Sequence, residues 1–377
     1  MPTWLHDFLI PLGIGAIVTM AIEAVTGRAL GVVVRQRFER RAKRRLKALG
    51  HQARLIRRGD ECLYTIEFVP DGWRPQDLQV VWNGTRDLEA DLRTADPRHL
   101  PRPVDVILER IAAERERLEA AEDGWWNGGS LAVTAISTRR SVAEEYPVLR
   151  LTLRPTDFAT AQVCTDLWEE RFAEGAFELP ADLDLPIPGM VNAVGLNATV
   201  ITDDGQLVLV RRSSRATSGR TGLHISVNEG MRDQDRDGRR SLDPHLGLVR
   251  GVWEELGIEI EASSVRIHTA MFDVRRYQFG LLGHIDLTGT GITAADVVLA
   301  RRHGLAQDKF ENGELVLVPW ELGHVAAVLQ EPSWVAHGWL NLLHSAVGAF
   351  RARGSDLYRL VGVDGQAPAR RSPLPTR

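Results

Sequence analysis

Cysteine is scarce in this protein, with only Cys62 and Cys164 among 377 residues. The two are far apart and form no Cys-x-x-Cys pair, which excludes a disulfide framework and a cysteine-rich zinc site. We expect both to be reduced structural thiols in a reducing compartment. An excess of charge of one sign is also lacking, because 46 basic and 50 acidic residues leave a net charge of −4. That balance excludes a general affinity of the whole protein for nucleic acid, and we expect no DNA partner.

Positive charge is absent before the first long apolar run, residues 8–25, which excludes an ordinary secretory signal. As a helix, these 18 residues would extend about 27 Å, close to the thickness of a bilayer core. Residues 35–47 then carry eight basic residues and one acid. The positive-inside rule therefore predicts a single-pass helix of the cell inner membrane over residues 1–34 and a cytoplasmic polybasic segment over 35–58. The alternative is a buried core helix, against which the polybasic flank argues.

One face of this N-terminal helix combines small residues with a carboxyl group. Gly15, Thr19, Glu23 and Gly27 recur every four residues and therefore share a face. Small residues let transmembrane helices approach closely, and a carboxyl at membrane depth normally faces protein or water. The pattern predicts a homo-oligomer contact along this face. The alternative is a weak anchor with Glu23 near its inner edge.

Residues 59–180 have the composition of a small α+β region without a recognisable chemical motif. Its indicated elements are the strands Cys62–Phe68, Leu131–Ile136 and Val148–Arg154 and the amphipathic helix Val104–Ala121. A proline-rich stretch at 179–188 is typical of a linker. The tail, residues 365–377, is expected to be disordered.

Residues 190–350 alternate between strand and helix patterns. Asp203-Asp204-Gly205 is a turn signal that predicts a hairpin between the strand at 192–202 and the strand at 206–211. The helix at 332–350 has apolar residues at helical spacing, which indicates packing on a core and no second membrane span. Further strands are expected near Val265–Phe272, Tyr277–Ile285 and Leu315–Pro319.

The most informative stretch is residues 250–258, Arg-Gly-Val-Trp-Glu-Glu-Leu-Gly-Ile, hereafter the box segment. It resembles the core of the Nudix box, Arg-Glu-apolar-x-Glu-Glu-x-Gly-apolar, at six of seven constrained positions. The seventh is Gly251, where the family has glutamate. The resemblance implies an α/β protein whose C-terminal domain, residues 190–350, is a Nudix α/β/α sandwich. The small α+β region and the transmembrane helix would precede it.

The resemblance also implies a divalent-metal site for Mg²⁺ or Mn²⁺ that activates water on a diphosphate linkage. Glu254 and Glu255 match the family's catalytic and metal-binding carboxylates, and Arg250 is placed to pair with Glu254 one turn away. Gly251 leaves a gap in that carboxylate set. The first glycine of the box corresponds to Gly230, which is 20 positions before Arg250 instead of the family's 14.

No glutamate lies between Gly230 and Arg250, so Glu229 is the candidate for the missing metal-binding oxygen. Residues 233–238 within this longer loop begin like a calcium loop, Asp-x-Asp-x-Asp-Gly, but Pro244 stands where its bidentate glutamate belongs. A solvated acidic turn is the expected interpretation, with Ca²⁺ binding as the alternative. The arginines before the box are candidates for holding phosphates, and the alternative is that they only solvate the loop: Arg211, Arg212, Arg215 and Arg220. Glu229 and Arg250 are further candidates for ligand binding.

Two classes of function follow from these features. The first is a membrane-tethered, Mg²⁺-dependent Nudix hydrolase of nucleoside diphosphate derivatives. The second rests on a resemblance in architecture to the transmembrane-Nudix effectors of bacterial cyclic-oligonucleotide anti-phage systems. That resemblance implies a soluble domain that binds a nucleotide second messenger and a membrane part that acts on the inner membrane. The departures from the box favour binding over turnover, and hence the sensor-effector.

Overall fold

A computed structural model describes much of the protein after residue 54, and the described residues from 56 onward belong to one compact unit. The described residues are 55–58, 61–83, 88–120, 127–140, 147–174, 186–187, 190–214, 221–238, 241–307 and 312–361. The predicted membrane helix, nearly all of the polybasic segment, most of the proline-rich linker and the tail lie outside them. In these ranges no helix is long and apolar enough to cross a membrane.

A nine-stranded mixed sheet forms the larger part of the unit. Its main order is β1-β2-β10-β11-β6-β7-β12, with β9 paired to β6 and β8 paired to β7. β6 runs parallel to β11 and antiparallel to β7 and β9. The strands are β1 Leu55–Arg58, β2 Glu61–Phe68, β6 Val194–Ile201, β7 Gln206–Arg212, β8 Leu223–Ile225, β9 Val227–Gly230, β10 Val265–Asp273, β11 Gln278–Asp286 and β12 Asn312–Pro319.

Helices cover both faces of this sheet. Neighbouring strand residues such as Leu281 and Leu282 belong to two different core clusters. Leu248 and Val252 of helix α4 lie in the first cluster, and Trp339 of helix α7 lies in the second. The predicted α/β class and the core-packing final helix are therefore confirmed. The C-terminal helices are α4 Pro244–Leu256, α5 Ala294–Arg302, α6 Leu322–Leu329 and α7 Ala336–Leu360.

A three-stranded sheet, in the order β3-β5-β4, forms the remainder. Its elements are β3 Leu78–Trp82, β4 Gly129–Arg140 and β5 Pro147–Asp157, with helices α1 Leu88–Thr94, α2 Val104–Glu119 and α3 Phe158–Ala173. The backbone N–H of Leu131 in β4 donates to the carbonyl of Met231 at 3.2 Å. The smaller sheet therefore lies directly against the loop between β9 and α4.

Two predicted features have instructive outcomes. The strand at 62–68, placed by sequence with the α+β region, pairs with β10 in the larger sheet, because a strand's composition does not specify its partner. The hairpin at 203–205 is confirmed, with Gly205 at φ 68°.

Both cysteines are buried, and burial raises the pKa of the Cys164 thiol to about 11, as suits a structural thiol.

Asp273 gives the fold a pH dependence. It is buried at the end of β10, where burial raises its pKa to about 7 from an ordinary 3.8. Between these values the folded state holds a proton that the unfolded polypeptide has released, so stability falls as pH rises. We expect the ionisation of Asp273 to lower the free energy of unfolding by about 2 kcal/mol between pH 5 and pH 7.

Urea unfolding at both pH values, with Asp273→Asn as the comparison, measures this effect. The asparagine keeps an oxygen for the backbone N–H groups of Arg275 and Arg276, which donate to Asp273 Oδ1 at 3.1 and 3.2 Å, but it cannot ionise. The variant should lose stability less steeply with rising pH than the parent. Identical slopes in the two proteins would show that Asp273 does not titrate in this range.

Candidate functional site

Helix α4 presents the box segment in its second half. The helix is capped by the Asp243 carboxylate, which accepts from the His245 N–H at 2.9 Å, and Pro244 occupies the first turn, where its missing N–H costs nothing. Gly257 ends the helix in the left-handed conformation, φ 73°. Arg250 and Glu254 therefore lie one turn apart on the same face.

Close packing against β9 explains why position 251 has no side chain. A Cβ added there would lie 2.8 Å from Cγ of Glu229 and 2.9 Å from Cγ1 of Val227, both on β9. Helix and strand approach too closely for a side chain at 251. The Glu229 side chain fills the space beside the helix, so a carboxylate reaches this region from β9 and not from α4.

Arg250 is the centre of a buried ionic network. Its Nη1 donates to Oε2 of Glu229 at 2.6 Å and to Oε2 of Glu254 at 3.1 Å. Its Nε and Nη2 donate to the two carboxylate oxygens of Asp235 at 2.8 and 3.1 Å, and Nη2 also donates to the carbonyl of Gly230 at 2.8 Å. One guanidinium thus joins the helix, β9 and the loop.

Arg232 is a second cation on the same carboxylates. Its Nη1 donates to Oε1 of Glu254 at 3.1 Å and its Nη2 to Oε2 of Glu229 at 3.2 Å. Its backbone N–H donates to Oδ2 of Asp235 at 2.8 Å. Two arginines therefore neutralise most of the charge of three carboxylates, which we call the acidic cluster: Glu229, Asp235 and Glu254.

Burial sets the electrostatics of this cluster. It raises the pKa of Glu229, against the opposing effect of the Arg250 charge and hydrogen bond. Although burial lowers the pKa of Arg250, its hydrogen bonds and the charges of Asp235 and Glu229 outweigh this and raise it above the usual range. Arg250 is thus a permanent cation, and removing it would leave buried negative charge without its main partner.

Glu255 connects the helix to the neighbouring strand. It is buried, and its Oε1 accepts the backbone N–H of Asn228 at 2.7 Å. This bond attaches α4 to β9. The residue expected to bind metal therefore holds two elements of the fold together.

The arrangement does not fit the expected Mg²⁺ or Mn²⁺ site. Among the described residues, no group of three or more His, Cys, Asp or Glu side chains is placed to hold a metal ion. Guanidinium groups occupy carboxylate oxygens of Glu229 and Glu254, whereas Mg²⁺ needs near-octahedral oxygen ligands at about 2.0–2.1 Å. The positive charge that a metal would supply is present as arginine.

The remaining predicted residues are placed as follows. The acids at 233–237 do not converge as in a calcium loop: Asp233 pairs with Arg236, Asp235 with Arg250, and Asp237 accepts the Ser241 N–H. Arg211 is exposed on β7 and donates to the Thr221 carbonyl at 3.4 Å, and Arg212 is buried on the same strand. Arg215, Arg220 and the membrane-helix residues Gly15, Thr19, Glu23 and Gly27 lie outside the described residues.

Sequence reasoning missed two members of the site, Arg232 and Asp235. Both lie in the loop that is longer than the family pattern. The available signal was their position shortly after Gly230, but the alternating aspartates at 233–237 have the pattern of a calcium loop instead.

Comparisons with known proteins assign no family. No family model and no curated protein matches this sequence. Among solved structures, the protein is similar to DR0079 from Deinococcus radiodurans, with 19% identity and a TM-score of 0.24 over 36% of this chain and 72% of that one. It is also similar to a MutT/nudix family protein from Enterococcus faecalis, with 10% identity and a TM-score of 0.25 over 41% of this chain and 54% of that one. Similarities with TM-scores this low carry no argument about function, which is therefore inferred from the residues of the site.

Proposed function

We propose that this protein is a membrane-anchored sensor-effector whose Nudix-like domain binds a nucleotide without metal-dependent hydrolysis of it. One observation carries the proposal: Arg232, which is not part of the box pattern, bonds Glu229 and Glu254, the carboxylates expected to bind metal. Gly251, packed against Glu229, completes the departure from the hydrolytic box.

Nucleotide binding is favoured by the arginine that lies beside these carboxylates. A hydrolytic box attracts phosphate through divalent cations, and here the guanidinium of Arg232, which suits phosphate oxygens in charge and geometry, bonds the carboxylates that would bind them. The side chain of Arg232 is 31% exposed and is therefore accessible to a ligand. Its bonds to Glu229 and Glu254 can be exchanged for bonds to phosphate.

The membrane part of the proposal rests on the sequence. The apolar run at 8–25 and the basic segment at 35–47 support a single-pass inner-membrane helix with the nucleotide-binding domain in the cytoplasm. The face with Gly15, Thr19, Glu23 and Gly27 supports homo-oligomerisation. In this proposal a nucleotide second messenger, such as a cyclic oligonucleotide, is the signal, and the inner membrane is the target in anti-phage defence.

The test compares turnover with binding on the full-length protein. With Mg²⁺ or Mn²⁺ and ADP-ribose as substrate, we expect no turnover above that of Glu255→Gln. Calorimetry with cyclic di- and trinucleotides and ADP should show binding that does not require a divalent cation. Robust turnover that Glu255→Gln abolishes would contradict the proposal and establish the alternative, a Nudix hydrolase. Recovery of the full-length protein in the soluble fraction would contradict the anchor.

A further inference from the structure

A cleft lies next to the acidic cluster, between the smaller sheet and the loop after β9. Its volume is about 630 Å³, within the range of small-molecule sites. The cleft is lined by residues of both parts, among them Trp82, Gly129, Ser130, Thr156, Arg232 and Gln234.

Trp82 gives the cleft an aromatic surface. It ends β3, and 40% of it is exposed, so part of the ring can contact a ligand. The guanidinium of Arg236 lies over its ring, 5.1 Å from the centroid. One face of the ring is therefore covered by a planar cationic group, and a nucleobase that stacks on this face would take the place of Arg236.

Arg232 connects the cleft to the acidic cluster. The same side chain lines the cleft and bonds Glu229 and Glu254. A phosphate in the cleft would compete with these two carboxylates for the guanidinium. A phosphate bound in the cleft would therefore change the hydrogen bonds that Glu229 and Glu254 make in the network around Arg250.

We propose that this cleft is the nucleotide site, with the base stacked on Trp82 and a phosphate paired with Arg232. The inference rests on the proposed function, because it names where the nucleotide of that function binds. It also gives the smaller sheet, for which no chemical motif was found, a role as the wall that recognises the base.

Substitutions at the two ends of the cleft test this on the full-length protein. Calorimetry would use ADP and cyclic di-AMP as probes and pyrophosphate as a probe without a base. Trp82→Ala should weaken both nucleotides by about 5- to 150-fold, as expected for the loss of one stacked base, and leave pyrophosphate unchanged. Arg232→Gln should weaken all three probes. Trp82→Phe should restore most of the nucleotide affinity.

Gly129 allows the cleft to be blocked without disturbing the core. A Cβ added at Gly129 meets no atom within 4 Å, so Gly129→Leu should fold normally and obstruct nucleotide binding. Gly323 on α6 also has no atom within 4 Å of an added Cβ and does not line the cleft, which makes Gly323→Leu the matched control.

The outcomes separate the two proposals. Nucleotide binding that survives both Trp82→Ala and Gly129→Leu unchanged would overturn the cleft and leave the sensor function in place. Failure of the parent protein to bind any of the three probes would overturn both. Loss of nucleotide binding in both variants, with Gly323→Leu unchanged, is the expected result.

Discussion

Gly251→Glu, which restores the family pattern of the box, is expected to destabilise the protein and to leave it without hydrolytic activity. The new Cβ would lie within 3 Å of both Glu229 and Val227, and overpacking of this kind costs about 1–3 kcal/mol. A further carboxylate beside buried Glu229 adds like-charge repulsion. The free energy of unfolding in urea measures the loss.

Gly323→Glu provides the matched control for this substitution. Its Cβ meets nothing within 4 Å, and replacing a helical glycine should stabilise the protein by up to about 1 kcal/mol. The double variant Gly251→Glu with Glu229→Gly moves the carboxylate from the strand to the helix and should recover only part of the lost stability, because the contact with Val227 remains. A Gly251→Glu protein as stable as Gly323→Glu would show that the helix and β9 are not closely packed.

Arg250→Ala is expected to cost about 3–5 kcal/mol, the range found when one partner of a buried ion pair is removed. The side chains of Glu229 and Asp235 are only 6% and 2% exposed and would lose their closest cationic partner. Arg232 cannot compensate fully, because its side-chain bonds run to Glu229 and Glu254. Urea unfolding is again the measurement.

Arg93→Ala is the control for burial. Arg93 also bonds two carboxylates, those of Glu89 and Asp105, but its side chain is half-exposed, and ion pairs on the surface contribute little to stability. Arg250→Lys should fall between the parent and Arg250→Ala, since lysine keeps the charge without the forked geometry. If Arg250→Ala and Arg93→Ala cost the same, the network does not hold the loop, β9 and α4 together.

Most elements of the C-terminal domain could be predicted because their signals are local. The turn at 203–205 acts within a few residues of where it stands and sets the hairpin between β6 and β7. The box segment likewise predicts its own helix. The pairing of β2 with β10 had no such signal, because strand pairing depends on a partner about 200 residues away.

The candidate site likewise has features set by neighbouring residues and features set by contacts between distant segments. Sequence alone determined that Arg250, Glu254 and Glu255 lie on one helix, that Gly251 interrupts the carboxylate pattern and that Glu229 is the nearest upstream glutamate. Only the tertiary structure decided that Arg232 and Asp235 join Arg250, that Glu229 occupies the space beside Gly251, and that Trp82 lies at the same cleft as Arg232. The physical reason is that helical spacing is a property of neighbouring residues. Charge pairing and close packing depend on which distant segments meet.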